Sequence, residues 1–460
     1  MEDRAGQAVF IETYGCQMNE ADTELMHGLL RKRGYTIAES AETAQVVLLN
    51  TCAVRERAEE RIYGRLGWLK SLKESRPGMV LGVTGCMAER LREGLLERAP
   101  YVDLVVGPDA YRRLPELVER AVEEDDPLID VRLDKQETYT DIELDRVPGV
   151  SGWITVQRGC DKFCSFCIVP FVRGRERSLP PQEVLAQAQA MAAEGFREVT
   201  LLGQTVSSYY ERGHDFADLL TLVHGVEDLA RIRFTSPYPN DFSNRLLDRL
   251  AELPRVGRHL HLPVQSGSTP ILRDMRRGYT AESYLELIER TRQRLPGWSI
   301  TTDIIVGYPG ETEEDFQATL DLVSAVGFDA AFTFLYSERE GTLAARRKPD
   351  DVSPEVKRER LQRLIKLQEG LSRVANEAKV GQVLEVLVAG PGRRDPSQII
   401  GRSSCFRSTV LHADAFQTPP AAGELVQARV VACTSHTLFA EPVESTGRAT
   451  LDRGPVSLES

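Results

Sequence analysis

The 460-residue sequence has no run of about eighteen consecutive apolar residues, the length that a membrane-spanning helix needs, and its first residues lack the apolar core of a signal peptide. Its eight cysteines are few for so long a chain, and six of them stand in motif-like settings, so they do not indicate a secreted disulfide framework. These absences predict a cytoplasmic protein with no membrane partner, whose reduced cysteines bind metal.

Positive charge is also scarce, because 57 Lys and Arg face 69 Asp and Glu and give a formal net charge of −12. This net negative charge disfavours indiscriminate nucleic-acid binding. It does not exclude a basic patch on one face of the protein. Hydrophobic residues make up 42% of the chain and aromatic residues 7%. A chain of this length and composition predicts two or three domains with sizeable cores.

The stretch WITVQRGCDKFCSFCIVPFVRGRERS, residues 153–178, contains the most specific chemical signal. Its cysteines, Cys160, Cys164 and Cys167, are separated by three and then two residues. Three thiolates on one loop suit an iron–sulfur cluster and leave one iron without a local ligand. Zinc would require a fourth ligand at short spacing, and the nearest following histidine is His214. The motif therefore predicts a cluster with an open iron that can bind a cofactor or substrate directly.

Residues 1–125 alternate apolar runs with helix-like stretches. The runs AVFIET, VVLLN and MVLGV are predicted strands, and helices are predicted near residues 19–33, 55–75 and 87–99. Because continuous apolar strands are typical of a parallel sheet covered on both faces, we expect a doubly wound α/β domain here.

Cys16, Cys52 and Cys86 each follow one of these three predicted strands. The carboxyl ends of parallel strands share one edge of the sheet, where open α/β sheets bind ligands, so the three thiols can meet there. The alternative is that they are buried small hydrophobic residues, but equivalent positions after three strands favour a second three-thiolate site.

Six further strand-like runs between residues 153 and 376 predict a partial (βα)6 barrel with its reactive site at the carboxyl ends of the strands. Polar residues and turns follow several of these strands and fit a ring of cofactor contacts; the alternative is ordinary turn geometry between strand and helix. The candidate cofactor contacts on this rim are Gln204, Gln265, Ser266, Ser268, Gly307 and Glu311.

Alternating arginines follow the cysteine loop, and a second basic group follows the sixth strand. Both should border the barrel mouth, where they could hold RNA phosphates; a solvated basic surface is the alternative. The first group is Arg173, Arg175 and Arg177, and the second is Arg339, Arg346, Arg347 and Lys348.

The remaining segments complete the expected organisation. Residues 126–149 are predicted to be a linker and residues 150–378 the barrel domain. Short strands with Gly and Pro turns over residues 379–444 predict a small β-barrel, followed by a polar tail, 445–460.

Four segments, ETYGCQMNEADTE, LLNTCAVRERAEER, VTGCMAER and RGCDKFCSFCIVPFVRGRERS, resemble the radical S-adenosylmethionine (SAM) methylthiotransferase family, and the resemblance covers nearly the whole chain. The run CAVRERAE, residues 52–59, is more similar to the branch that acts on tRNA than to the branch that modifies a small-subunit ribosomal protein. The C-terminal barrel resembles a TRAM domain, a small RNA-binding barrel. Thr205, Ser207 and Phe406 stand where the family more often has asparagine, and Ala440 stands where glycine is common.

The resemblance implies methylthiolation of carbon 2 of N6-dimethylallyladenosine next to a tRNA anticodon. It implies two [4Fe–4S] clusters, one on each set of three cysteines, and SAM both as methyl donor and as source of a 5′-deoxyadenosyl radical. Phe166 is expected near the SAM adenine, while the tRNA anticodon stem-loop, an external electron donor and a sulfur source are the expected partners. Two alternatives stay open: methylthiolation of a ribosomal protein, and a noncatalytic RNA-binding iron–sulfur protein.

Overall fold

The computed structural model of the chain describes residues 7–53 and 56–443. The chain divides into two compact units between Leu371 and Ser372. The predicted tail, 445–460, and residues 54 and 55 of the run CAVRERAE lie outside the described residues. No helix within the described ranges combines the length and apolar character that a membrane-spanning segment needs.

The first unit begins with a six-stranded parallel sheet in the order β2-β1-β3-β4-β5-β6, which confirms the doubly wound domain. All residues of β3 and β4 are buried because helices cover both faces. Along β3, Val46 and Leu48 join the core on one face, whereas Val47 and Leu49 join the core on the other. The strands are β1 (Ala8–Tyr14), β2 (Thr36–Ile37), β3 (Val46–Thr51), β4 (Val80–Gly85), β5 (Leu104–Val106) and β6 (Leu128–Asp130).

The helices of this domain differ from the prediction at two places, one of which is a helix over residues 114–123 that was not predicted. The single helix expected over residues 87–99 is two short helices, because Arg92 between them has φ of +50° and interrupts the α conformation. The helices are α1 (Gln17–Lys32), α2 (Glu56–Ser75), α3 (Cys86–Leu91), α4 (Glu93–Arg98) and α5 (Leu114–Glu123).

The linker expected over residues 126–149 needs correction at its start. Its first residues form β6, the edge strand of the sheet, and Leu128 of that strand is buried in the core. Tyr139 is buried in the same core, and its hydroxyl donates to the carbonyl oxygen of Pro108 at 2.6 Å. This segment therefore packs on the N-terminal domain.

All six strands predicted for the barrel are present. They form two three-stranded parallel sheets, β13-β10-β7 and β14-β15-β16, so the barrel is partial. One buried cluster running from Ile154 to Leu364 is the common core of these strands and their helices. The strands are β7 (Ser151–Thr155), β10 (Glu198–Leu202), β13 (Arg231–Phe234), β14 (His259–His261), β15 (Ser299–Val306) and β16 (Ala330–Leu335).

Helices and short strand pairs fill the connections of the barrel. Two antiparallel pairs, β8 with β9 and β11 with β12, lie outside the main sheets. These strands are β8 (Gln157–Arg158), β9 (Arg177–Ser178), β11 (Tyr210–Glu211) and β12 (His214–Asp215). The helices are α6 (Val169–Val172), α7 (Pro181–Ala193), α8 (Phe216–His224), α9 (Asn244–Glu252), α10 (Thr269–Asp274), α11 (Ala281–Arg294), α12 (Glu313–Val326), α13 (Leu343–Arg347) and α14 (Pro354–Glu377).

The second unit contains a closed five-stranded barrel in the order β17-β18-β19-β21-β20, which confirms the predicted small β-barrel. Phe406, where the family more often has asparagine, has φ of +68° in the turn before β19. Asparagine adopts that conformation at lower cost than phenylalanine, so the position is strained here. The strands are β17 (Val383–Pro391), β18 (Gln398–Ser403), β19 (Ser408–His412), β20 (Leu425–Cys433) and β21 (Thr437–Pro442).

Candidate iron–sulfur and cofactor site

The cysteine loop of the barrel leaves β8 and returns through β9, and the pairing of these two strands closes it at its base. Gly159 has φ of +78°, and a Cβ there would lie 2.0 Å from the Arg175 carbonyl oxygen, so only glycine fits. The Cys160 amide donates to the Gly174 carbonyl at 3.1 Å, and the Cys167 amide donates to the Cys164 carbonyl at 3.0 Å. The loop therefore holds its three cysteines by its own backbone.

Two polar side chains contact the sulfurs of this loop trio (Cys160, Cys164, Cys167). The Thr205 hydroxyl lies 3.1 Å from the Cys160 sulfur, and Arg277 Nη1 donates to the Cys164 sulfur at 3.2 Å. Burial raises the pKa of Cys160, and it raises the pKa of Cys167 to about 12. A bound metal would hold these thiols ionised, as metal-coordinated thiols are.

Arg277 was not predicted from the sequence. It is buried, with Nε donating to the Tyr279 hydroxyl at 2.8 Å and Nη2 donating to the Pro263 carbonyl at 2.9 Å. Its guanidinium carbon lies 4.7 Å from the centre of the Tyr238 ring. Arginine 113 residues beyond Cys164 carries no local motif, so only the fold reveals its contact with the loop trio.

The second set, the edge trio (Cys16, Cys52, Cys86), lies where the sequence predicted it. Cys16 follows β1, Cys52 follows β3, and Cys86 begins α3 directly after β4. These strands are neighbours in the sheet, so the cysteines share its carboxyl edge. A hydrogen bond with the Cys52 side chain lowers the pKa of Cys16 to about 6, whereas burial raises the pKa of Cys86.

Both trios offer thiols that suit an iron–sulfur cluster. None of the eight cysteines forms a disulfide, and each trio has a guanidinium N–H within hydrogen-bond distance of one sulfur, a contact that tunes cluster thiolates. Over residues 7–53 and 56–443, no three side chains of His, Cys, Asp or Glu are arranged around a single metal ion. The fit to [4Fe–4S] clusters rests on the thiol chemistry of the two donor sets and on their hydrogen-bond partners.

Arg173 joins the edge trio to the barrel. Its Nε donates to the Cys86 sulfur at 3.0 Å, and its Nη1 lies 2.6 Å from Asp22 Oδ2. The other Asp22 oxygen accepts from Arg158 Nη1 at 2.8 Å. All three charged side chains are at most 4% exposed. This buried network lies between α1 of the N-terminal domain and the segments on either side of the cysteine loop.

The structure contradicts the expectation that Arg173 and Arg177 hold RNA phosphates. Arg173 is buried in the network just described, and Arg177 is buried against Asp109, with Nη1–Oδ2 of 2.8 Å and Nη2–Oδ1 of 3.0 Å. Arg175 differs, because its side chain is exposed and pairs with Asp161 at the surface. Arg339 of the second basic group is also buried.

Among the predicted cofactor contacts, Gln204 has an unused acceptor. Its Oε1 is buried and has no hydrogen-bond partner among the described residues. Phe166 is half-buried and packs against a small cluster that includes Met275 and Tyr308. Gln265 has φ of +72°, and its backbone pairs with β15 through Asp303 and Ile305. These three positions stay predicted cofactor contacts.

The other four predicted contacts shape two turns. Ser266 Oγ accepts from the Ser268 amide at 3.2 Å, and Ser268 Oγ accepts from the Ile271 amide as the N-cap of α10. Glu311 Oε1 accepts from the Gly307 amide and from Arg360 Nη1, both at 2.9 Å. Burial raises the pKa of Glu311 to about 7. These residues stabilise the turns in which they lie. Any contact with a cofactor would be made from turns that are already ordered.

Two of the four positions that depart from the family pattern, Thr205 and Ser207, have defined partners. Thr205 contacts the Cys160 sulfur, as described, and its amide donates to Gln157 Oε1 at 3.0 Å. Ser207 Oγ donates to Asp241 Oδ2 at 2.9 Å and accepts from the Tyr238 amide at 2.7 Å. Both hydroxyls therefore have structural roles beside the loop trio.

Three family models match successive parts of the chain: uncharacterized protein family UPF0004 over residues 8–107, the radical SAM superfamily over 154–323 and the TRAM domain over 377–443. The chain is 44% identical to the tRNA-2-methylthio-N(6)-dimethylallyladenosine synthase of Moorella thermoacetica, over 96% of this chain and 99% of that protein. It is 46% identical to the protein of the same name from Chloroherpeton thalassium, over 94% of this chain and 95% of that protein.

Among solved structures, the chain is similar to the radical S-adenosylmethionine methyltransferase TsrM from Kitasatospora setae, with cobalamin and a [4Fe-4S] cluster bound. The TM-score is 0.56 at 15% sequence identity, and 74% of each chain is covered. At 15% identity, this similarity shows only that the matched parts of the two chains share a fold.

Proposed function

The chain belongs to the family of tRNA-2-methylthio-N(6)-dimethylallyladenosine synthases, and on that premise we propose that it transfers a methylthio group to carbon 2 of N6-dimethylallyladenosine next to the anticodon of tRNA. The observation that carries this proposal is the pair of cysteine trios, with one buried arginine, Arg173, that follows the loop trio in sequence and contacts Cys86 of the edge trio. The reaction needs a radical source and a sulfur carrier, and the two trios offer one site for each. We place the enzyme in the cytoplasm with its tRNA substrate.

We propose that the loop trio holds one [4Fe–4S] cluster, whose open iron binds SAM, and that the edge trio holds a second. When bound, these groups supply the one-electron chemistry that yields a 5′-deoxyadenosyl radical and the sulfur that SAM methylates. Electrons and sulfur come from an external donor and an external source. An aromatic C–H is not acidic enough for a side-chain base, so no acid–base residue is assigned.

The chain's own residues bind and orient these groups. Thr205 and Arg277 fix two sulfurs of the loop trio, since each lies within hydrogen-bond distance of one. The unpaired Gln204 oxygen can accept a hydrogen bond from SAM, and Phe166 offers an apolar surface for its adenine. Two turns form the rest of the proposed cofactor wall. The first contains Gln265, Ser266 and Ser268, and the second contains Gly307 and Glu311.

We propose that RNA is contacted by an exposed patch beside the cysteine loop, formed by Phe163, Phe171 and Arg175. The two rings meet edge to face at 6.4 Å, and the Arg175 guanidinium lies 5.3 Å from the centre of the Phe163 ring. Exposed aromatic faces stack unpaired bases of RNA loops, and arginine binds phosphate. This patch replaces Arg173 and Arg177 as the proposed contact, and the β-barrel, residues 379–444, is the second proposed RNA-binding region.

Arg98→Gln is a matched control for the patch, because Arg98 also pairs with a carboxylate at the surface and also lies over an aromatic ring, Tyr63. We expect Arg175→Gln and Phe163→Ala to weaken tRNA binding, and Arg175→Gln to lower the log–log salt slope by about one unit. Arg98→Gln should change neither. An unchanged slope for Arg175→Gln would remove Arg175 from the interface.

The test of the reaction itself offers the reconstituted enzyme three substrates: prenylated tRNA, unprenylated tRNA and the small-subunit ribosomal protein. We expect a methylthio product from prenylated tRNA alone, detected by mass spectrometry of the nucleosides and of the protein. Product on the ribosomal protein alone would support the first alternative. Binding of iron and tRNA without SAM cleavage or product would support a noncatalytic iron–sulfur protein.

A further inference from the structure

A buried arginine of the barrel reaches a cysteine of the N-terminal domain. Arg173 follows α6, six residues after Cys167, and its Nε lies 3.0 Å from the Cys86 sulfur. Its side chain is 3% exposed. A single residue next to the loop trio thus contacts a sulfur of the edge trio.

The charges around Arg173 do not balance among themselves. Arg173 and Arg158 share one carboxylate, Asp22, whose side chain is fully buried. Two buried cations with one anion leave an excess of positive charge, which is costly in the interior unless another anion lies close. Glu137 interacts with Arg158, whereas beside Arg173 it is the thiolates of the edge trio, with Cys86 in direct contact, that can supply negative charge.

Arg173 also has a hydrogen-bond donor to spare. Its Nη2 is buried and has no hydrogen-bond partner among the described residues. A buried donor without an acceptor costs about 1–3 kcal/mol, so such a group indicates a missing acceptor. The inorganic sulfur of a cluster held by Cys86 would be an acceptor on the same side of the guanidinium as the Cys86 thiolate.

We propose that Arg173 is a positioning residue for the N-terminal cluster, donating hydrogen bonds from Nε to the Cys86 sulfur and from Nη2 to inorganic sulfur of the cluster. This inference rests on the proposed second cluster. Donors and positive charge beside the sulfurs stabilise the reduced, more negative cluster, so Arg173 raises its reduction potential. Asp22 opposes that effect, because its carboxylate lies beside the same guanidinium and partly neutralises its charge.

The experiment uses a background in which the loop trio is replaced by alanine, so that only the N-terminal cluster is present. Arg173→Gln and Arg173→Lys are compared with Arg233→Gln and Arg233→Lys, which alter a similarly buried arginine of β13 that pairs with Glu198 inside the barrel. Asp22→Asn is added because it should shift the reduction potential in the opposite direction. Each reconstituted protein is assayed for iron, for folding by circular dichroism, for potential by EPR-monitored redox titration, and for Fe–S(Cys) stretching frequencies by resonance Raman spectroscopy.

Three results are expected together. Arg173→Gln lowers the midpoint potential and raises the Fe–S(Cys) frequencies, with a smaller effect for Arg173→Lys, which keeps the charge. Asp22→Asn shifts the potential upward. The Arg233 variants leave both readouts unchanged.

Equal readouts for the Arg173 and Arg233 variants would overturn the inference, and so would shifts of the same sign for Arg173→Gln and Asp22→Asn. If Arg173→Gln does not fold, Arg173→Lys and Asp22→Asn decide by their opposite shifts. Absence of iron from the parent background, with the protein folded, would instead overturn the proposed second cluster and the inference with it.

Discussion

The two cysteine trios are assembled by different routes. The loop trio lies within eight residues of sequence, and the arginine that contacts it, Arg277, belongs to the same domain and is fixed by two tyrosines and a carbonyl. The edge trio is collected from three loops, and the arginine that contacts it, Arg173, comes from the barrel. The barrel site is therefore complete within its own domain, whereas the N-terminal site is completed by contact between domains.

That contact combines two small apolar clusters with buried charge. Asp22 pairs with Arg158 and Arg173, and Asp109 pairs with Arg177; every one of these side chains is at most 5% exposed. Such pairs cost desolvation and give little net stability, but they require the matching partner in one position. We therefore expect that changes in the barrel can harm the N-terminal site. Changes in the N-terminal domain should affect the barrel site less.

The largest expected effect comes from removing one trio at a time. Replacing the loop trio by alanine should leave about four irons on the edge trio, and replacing the edge trio should leave about four on the loop trio. Only the second protein should still cleave SAM to 5′-deoxyadenosine, and neither should make the methylthio product. Iron analysis, circular dichroism and product assays measure this. If either protein loses all iron while folded, the trios are not independent sites.

The next largest effect concerns the contact between domains. Arg177→Gln leaves the Asp109 carboxylate buried without its cation, which should lower the free energy of unfolding by about 3 kcal/mol, measured as a lower urea midpoint. Asp109→Asn in the same protein should recover part of the loss. Arg175→Gln, which breaks an exposed ion pair nearby, is the control and should lower the urea midpoint far less. Equal losses would mean that the buried pair does not hold the domains.

A smaller effect is expected from Arg277, which tests whether the barrel site depends on its own domain. Since outer partners of metal ligands contribute about 10–100-fold to affinity, Arg277→Gln should speed loss of iron to a chelator by about that factor. The protein for this test has the edge trio replaced by alanine. Arg273→Gln, an exposed change on neighbouring α10, should have no effect. Iron loss at the parent rate from the Arg277 variant would show that the Cys164 contact is dispensable.

The smallest effect is a pH dependence in the N-terminal domain. Glu89, on the helix that begins at Cys86, is 1% exposed, and burial raises its pKa to about 8. The folded state therefore holds a proton that the unfolded state releases above its ordinary pKa of about 4.5. Stability should fall as pH rises through this window, by about 1 kcal/mol between pH 7 and pH 8.

Hydrogen exchange of the amides in β4 and α3 at the two pH values measures this loss. Glu89→Gln, which mimics the protonated form, should remove it, and Glu97→Gln on α4, an exposed change, should keep it. The same pH dependence in the Glu89→Gln protein would assign the titration to another group.

The sequence predicted the features that depend on local pattern. The apolar runs predicted β1, β3 and β4 and the six barrel strands, and the positions of the cysteines after three parallel strands predicted the edge trio. Strands β5 and β6 were missed because three residues are too few for a periodic signal. The break at Arg92 was missed because neither glycine nor proline marks it.

The partners of the arginines could not be read from the sequence. Arg173 and Cys86 are 87 residues apart, and their contact depends on how the barrel meets the N-terminal domain. Alternating arginines beside a reactive loop looked like a phosphate-binding surface, and only burial distinguishes Arg173 and Arg177 from the exposed Arg175. The sequence predicted where the turns of the barrel rim lie. It did not predict the internal hydrogen bonds that Ser268 and Glu311 make within those turns.

Those internal hydrogen bonds bear on how tightly a small molecule can be held at the barrel mouth. Glu311 fixes the turn that starts at Gly307, and Ser268 fixes the turn at α10, so both turns are ordered before any ligand arrives. A preorganised wall loses little conformational entropy when it is occupied, and more of the contact energy therefore appears as affinity. The backbone of these turns should keep the same conformation in the free and ligand-bound enzyme.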